Sequence, residues 1–283
     1  MTDVPQLPIQ GPNTLLMGPP GVGKTFAITT LLKAGLKVAV LITDPLGEES
    51  LVDACERTKV PIDNLHWHYI PPAAPDWKTL QQMAHQIATR SFRDLADNKT
   101  GINKTDYQQL YEAIGVLRDF KCQRTDVELG PIDELDTSWA FVIDSLSGIN
   151  TMCLRTTIGA KPSAHQGEWG VAMNAEEMLL DKLTGDLKCF FVLTAHVEKE
   201  HDEITGGTHL TVSMLGRKLA PKIPRNFSDV ILAKRDGDKF FWSTTAHGVD
   251  LKTRTLALSD KLEPSFEPIV ERWRQRNTQA TTA

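Results

Sequence analysis

Residues Gly18-Pro19-Pro20-Gly21-Val22-Gly23-Lys24-Thr25 fill every fixed position of the pattern G-x-x-x-x-G-K-[ST], a spacing whose chemistry is the binding of a phosphate chain. Glycines let successive backbone N–H groups turn inward around phosphate oxygens. Lys24 supplies a mobile point charge for the β- and γ-phosphates, and the Thr25 hydroxyl is a ligand of the kind Mg²⁺ takes. A second chemical position is Asp144, at the end of the apolar run Ala140-Phe141-Val142-Ile143. Paired with a complete phosphate loop, this carboxylate is expected to hold Mg²⁺ through oxygen ligands. A third is His196. The apolar run 189–194 (CFFVLT) delivers it to the strand edge where open α/β sheets bind ligands. There it is a candidate sensor of the γ-phosphate, by a hydrogen bond that changes when phosphate leaves.

These positions need an α/β frame to meet. Leu15-Leu16-Met17 predicts a buried strand before the loop, and residues 26–34 a helix after it, closed by Gly35. The helix aims its positive N-terminus at the anion, so Phe26 joins the loop residues in the expected nucleotide contact set. Strands are expected at 37–43, 65–70, 140–145 and 189–194, with helices between them, the pattern of parallel βαβ units. Asp76 should cap a helix running to about Leu95 after the break at Pro71, Pro72 and Pro75. The stretch 97–138 holds one plausible helix at 106–120 and an acidic segment, and is expected to be a surface insertion. Strands at 230–234 and 239–244, joined by Asp236-Gly237-Asp238, predict a C-terminal β-hairpin. The organisation expected is an N-terminal segment 1–12, an ATPase domain 13–260, then a helix and a frayed polar tail 261–283.

Composition narrows the function classes. Lys plus Arg number 31 against 36 Asp plus Glu, a net charge of −5, so no global basic field exists and nucleic-acid contact requires a local patch. The four cysteines lack C-x-x-C spacing, which argues against a zinc site or a disulfide framework. No apolar run approaches a membrane span, and the N-terminus has no apolar signal region, so a cytoplasmic place is expected. His66-Trp67-His68 alternates as metal ligands do, but no acid or thiol accompanies it, so it is taken as a strand pair.

Taken in order, the loop GPPGVGKT, Thr43-Asp44-Pro45, Ile143-Asp144-Ser145, Val192-Leu193-Thr194-Ala195-His196 and residues 216–222 (GRKLAPK) resemble the phage-type RecA-like AAA ATPases, a group that includes single-strand-annealing and recombination ATPases. The resemblance spans roughly residues 13–258. It implies a RecA-like P-loop core with a mostly parallel sheet flanked by helices, ATP and Mg²⁺ as ligands, hydrolysis shared between subunits of a ring or filament, and single-stranded DNA as partner. A single-strand-binding protein or another replication or recombination protein would be a further partner. The family places a carboxylate, commonly Glu, after the second strand to orient water. Asp44 stands there, one methylene shorter, with Glu48 and Glu49 close behind as possible substitutes. A Lys-x-Arg pair acting in trans would be Lys252 and Arg254, with Lys234-Arg235 as the other candidate. For DNA, residues 216–225 (GRKLAPKIPR) carry Arg217, Lys218, Lys222 and Arg225 without an acid, and Trp169 in a loop at 156–170 is a possible stacking platform. A ring-forming helicase or loader-type ATPase, or an ATP-binding switch with little hydrolysis, are the alternative functions.

Overall fold

Apolar runs such as KVAVLI need cover on both faces, and the chain provides it by laying helices on each side of one sheet. The computed structural model describes residues 9–73, 75–96, 107–161, 163–201, 207–216 and 218–282. In chain order, β1 (Asn13–Met17) leads through the glycine loop into α1 (Lys24–Ala27) and α2 (Thr29–Lys33), pieces of one helix joined at Ile28. There follow β2 (Lys37–Ile42), α3 (Gly47–Thr58), β3 (Leu65–Tyr69), α4 (Trp77–Thr89), α5 (Phe92–Ala96) and α6 (Gln109–Arg118). A small hairpin, β4 (Phe120–Lys121) and β5 (Glu128–Gly130), precedes β6 (Trp139–Asp144), α7 (Leu146–Ile158), α8 (Gln166–Asp186) and β7 (Phe190–Ala195). A second hairpin, β8 (Val197–His201) and β9 (Thr208–Val212), is followed by a 3₁₀ turn (Ile223–Asn226), β10 (Asp229–Asp236), β11 (Lys239–Ser243) and α9 (Glu267–Thr282).

Among the described residues the main sheet has seven strands, in the order β11-β10-β1-β7-β6-β2-β3. All neighbours are parallel except β10 and β11, the hairpin expected from the sequence. Alternation within each strand divides the core in two. Leu16, Val38, Val40 and Val142 face α1 to α3 and α9, where they meet Ile28, Leu31, Leu51 and Ile269. Leu15, Leu41, Phe141 and Leu193 face α6 to α8, meeting Leu117, Ile149, Met152 and Leu180. Each such side chain taken fully out of water contributes about 1.5–3 kcal/mol, so both helix layers are fixed to the sheet by apolar burial.

Several expectations need correction. The helix capped by Asp76, whose carboxylate accepts from the Thr79 N–H at 2.7 Å, stops at Thr89 and a separate short helix follows. The stretch expected to be a surface insertion is in part core: Leu110, Ala113, Phe120, Ile132 and Leu135 are buried in the α6–α8 layer, because its apolar residues recur at helical spacing. Residues 97–106 of that stretch lie outside the described residues. The chain after Trp273 is helical to Thr282 instead of frayed. Trp273 itself packs edge-on against Phe190 and anchors that helix.

Candidate nucleotide site

The parallel strands carry the chemical residues to one edge. Met17 of β1, Ala195 of β7, Asp144 of β6 and Ile42 of β2 end side by side, so Lys24, His196, Asp144 and Asp44 meet although they are far apart in sequence. The loop itself needs its glycines: Gly21 and Gly23 have φ of 75° and 82°, where a side chain would be strained. Gly18 is required by space, since a Cβ there would lie 2.6 Å from the Ala233 carbonyl oxygen of β10.

Lys24 is buried, and its ammonium donates to the Gly18 and Pro19 carbonyls at 2.8 and 2.9 Å. Burial holds its pKa below the ordinary lysine value, opposed by the carboxylates of Asp144 and Asp44. The Thr25 hydroxyl donates to Asp144 Oδ2 at 2.7 Å, and Thr194 donates to Asp144 Oδ1. Burial pushes the Asp144 carboxyl up from the usual range, while the two hydroxyl bonds pull it back. A buried carboxylate bonded to the loop hydroxyl is a set of hard oxygen donors, which fits Mg²⁺. Thr25 and Asp144 are therefore the residues that would hold it.

His196 sits between the two charged groups. Its Nδ1 is 3.4 Å from Lys24 Nζ and its Nε2 is 4.0 Å from an Asp44 oxygen. Asp44 is partly exposed, at 35 % of its side chain, on the open side of this edge. Of its expected substitutes, Glu48 is committed to the Trp67 indole N–H at 2.8 Å, and Glu49 is exposed in the first turn of α3. The sequence names Thr43 only as part of the run Thr43-Asp44-Pro45, with no role of its own. It joins the ends of β2 and β6 by donating to the Ser145 carbonyl at 2.6 Å and accepting from the Ser145 N–H at 3.0 Å. Thr194 stands out in the sequence only as a strand residue. Its signal is its position two residues before His196, one pleat period away on the same edge.

The other predicted residues spread out. Phe26 is exposed beside the loop, and across it stands Phe240 of β11, 3.4 Å from where a Gly23 Cβ would lie. Lys234 is tied to Asp260, and the Arg235 guanidinium lies 5.3 Å over the Phe240 ring. Lys252 and Arg254 do not share a strand face: Lys252 makes an isolated bridge to Val230 and Arg254 lies in a bend. Because Val230 is at the start of β10, both lie at the sheet edge opposite this chain's own phosphate loop. Trp169 is in the first turn of α8, not in a loop, and Lys161 is buried in an ion pair with Glu168 at 2.8 Å. Arg217 lies outside the described residues; Lys218, Lys222 and Arg225 are exposed, with Lys222 paired to Glu177 at 2.8 Å. His66 stacks at a tilt on Trp139, and His68 bonds the Lys121 carbonyl at 2.9 Å.

A parallel sheet that ends in a glycine loop, a buried Lys and a Thr–Asp pair defines a P-loop NTPase. Residues 10–256 match the family model described as an AAA domain, which covers most of the chain, and the protein belongs to that family of ATPases. A comparison with curated proteins finds no match. No helix among the described residues is long and apolar enough to cross a membrane.

Proposed function

We propose that this ATPase acts on single-stranded DNA, as the phage-type RecA-like proteins it resembles do, in recombination, annealing or repair, and that it works as a self-associated ring or filament. The observation that supports the reading is the course of residues 213–216 and 218–228. This segment starts on the nucleotide edge, where the Ser213 N–H bonds the His196 carbonyl at 2.9 Å. It then runs along α8, through Lys222 at Glu177 and Asn226 at Asp181, to the opposite edge. A cationic segment is thus attached directly to the residue that touches Lys24 and Asp44. The described part of the hairpin β8–β9 before it sets Lys199 between Glu198 and Glu200, with no excess of positive charge, so phosphate contact is assigned to the segment.

At the site, Lys24 exchanges the loop carbonyls for phosphate oxygens, and Mg²⁺, when bound at Thr25 and Asp144, offsets charge on the phosphate chain. Asp44 orients the attacking water and takes its proton, with His196 adjusting its hydrogen bond as the γ-phosphate departs. The test is Mg²⁺-ATP turnover against protein concentration, with and without single-stranded DNA. A rate per subunit that rises with both, and vanishes in Lys24→Ala, is expected. A second reading, an ATP-binding switch with little hydrolysis, is favoured by one observation: Asp44 is short of the usual Glu, and its carboxylate stands 4.0 Å from His196 Nε2, beyond hydrogen-bond reach. Tight ATP binding with flat, near-zero turnover would select it.

A further inference from the structure

On the sheet edge away from the nucleotide site, a cleft of about 340 Å³ is lined by Arg225, Arg254 and Arg276, together with Asn226, Ser228 and Thr255. The arginines come from three separate elements: the 3₁₀ turn before β10, the bend after the Val230 bridge, and α9. All three are exposed. Among the described residues none forms an ion pair with a carboxylate.

The neighbouring acids are already occupied. Asp229 is fully buried, with one oxygen accepting the Thr253 hydroxyl at 2.6 Å and the Arg254 backbone N–H at 3.0 Å, and the other accepting Ser228 at 2.8 Å. Asp181 accepts from Asn226 at 2.9 Å. Lys252 adds a fourth cation close by: its ammonium donates to the Arg225 carbonyl at 3.1 Å, and its pKa is held down by burial and then by repulsion from Arg254, opposed by the Asp229 carboxylate. In a chain of net charge −5, this gathers four cations around one buried carboxylate, Asp229, a local excess of positive charge, and planar guanidiniums bind phosphate oxygens in pairs.

We propose that Arg225, Arg254 and Arg276 form a second phosphate site, separate from the nucleotide edge, which takes consecutive phosphates of a single nucleic-acid strand. The proposal rests on the DNA reading above and deepens it. A strand fits better than a free nucleotide for two reasons. The segment that reaches the cleft at Arg225 also carries the exposed Lys222 and Lys218, a row of cations instead of a point. The aromatic rings lining the cleft, Phe227 and Trp273, are 1 % and 5 % exposed, and Trp273 directs its indole nitrogen at the Ile9 carbonyl, so neither presents a face on which a lone nucleotide's base could stack.

The test is fluorescence anisotropy of a labelled oligothymidylate of about 20 nucleotides with the full chain, with and without ATP, over a salt series. Removing one arginine–phosphate interaction should reduce the slope of log K against log[salt] by about 0.7, so Arg254→Ala/Arg276→Ala should bind weakly with a slope smaller by about 1.4. Arg254→Lys/Arg276→Lys should keep most of the slope. Circular dichroism and Tm establish that the variants fold. Oligonucleotide binding by the wild type that is unchanged in the Ala variants would overturn the cleft while leaving the DNA reading intact. No oligonucleotide binding by the wild type in either nucleotide state would remove both. Binding of sodium triphosphate, but not of the oligonucleotide, through these arginines would overturn the strand assignment. So would an Arg254→Ala variant that loses turnover yet binds the oligonucleotide normally, since that behaviour belongs to a residue serving a neighbour's triphosphate.

Discussion

Asp144 and Glu176 are both buried carboxyl groups, and they differ in what surrounds them. Asp144 has two hydroxyl donors and a lysine nearby. Removing one hydroxyl should therefore be felt at the metal: Thr194→Val is expected to lower turnover or raise the Mg²⁺ needed for half-maximal turnover by about 10- to 100-fold, the usual cost of losing a group that orients a ligand. A magnesium titration of ATPase activity reads this directly. Glu176 of α8 is fully buried, and among the described residues neither of its oxygens has a full hydrogen bond. Burial pushes its carboxyl up to about 8, with a weak opposing pull from the Leu215 backbone N–H, and the titratable group facing it is the buried Cys153 thiol of α7. Because the folded pKa is raised, the folded protein holds a proton that the unfolded chain releases near its ordinary value of about 4.3. Stability is then greatest below that value and falls as pH rises towards 8, by on the order of a few kcal/mol. Glu176→Gln removes the titration. Its Tm should gain on the wild type steadily between pH 5 and pH 8.5, whereas parallel Tm curves would show that Glu176 does not carry the shift.

How the elements dock explains which residues the chain can vary. The first turn of α7 crosses the end of β2 so closely that a Cβ on Gly148 would lie 2.3 Å from the Thr43 side chain and 2.9 Å from its carbonyl. Thr43 in turn holds Ser145 and precedes Asp44. Gly148→Ala should cost about 1–3 kcal/mol by overpacking and depress turnover through displacement of Asp44. Gly115, inside α6, meets nothing within 4 Å, so Gly115→Ala should be neutral or raise stability by up to about 1 kcal/mol. Comparing Tm and ATPase rate for the pair separates docking from helix propensity. The same contrast explains which elements are legible in the sequence. The strands β1, β2, β6 and β7 announce themselves because a strand covered on both faces is a local apolar run bounded by turn or polar residues. The hairpin β8–β9 is largely exposed along Val197–His201, so it has no buried face to imprint a pattern. Helix α8 contains Gly167, Gly170 and Gly185, which mimic breaks, and its extent is decided by packing on α7. The set Lys24, Thr25, Asp144 and His196 is legible from motif and strand ends. The position of His196 between Lys24 and Asp44 is not, since it depends on the strand order β1-β7-β6-β2, which no local stretch encodes.

The whole molecule places two charge systems on opposite edges of one sheet, with phosphate-loop chemistry at the carboxyl ends of the strands and three arginines at the amino ends. Residues 213–216 and 218–228 join them and touch α8 at several points: Gly216 lies against Met173, Leu215 against Glu176, and Lys222 pairs with Glu177. If ATP and a nucleic-acid strand each favour one arrangement of this segment, the two bindings are linked, and linkage is reciprocal. A non-hydrolysable ATP analogue should tighten oligonucleotide binding by a factor within the usual range of about 5 to 150, and the oligonucleotide should tighten analogue binding by the same factor. His196→Ala removes the contact between the segment's anchor residue and Lys24, while its own carbonyl still receives the Ser213 N–H. The variant should therefore bind both ligands yet show a factor near unity in both directions. Titrating each ligand in the presence and absence of the other, for wild type and variant, gives all four numbers. A factor that survives in His196→Ala would place the coupling in another route across the sheet, and factors that differ between the two directions would mean that a change of oligomeric state contributes as well.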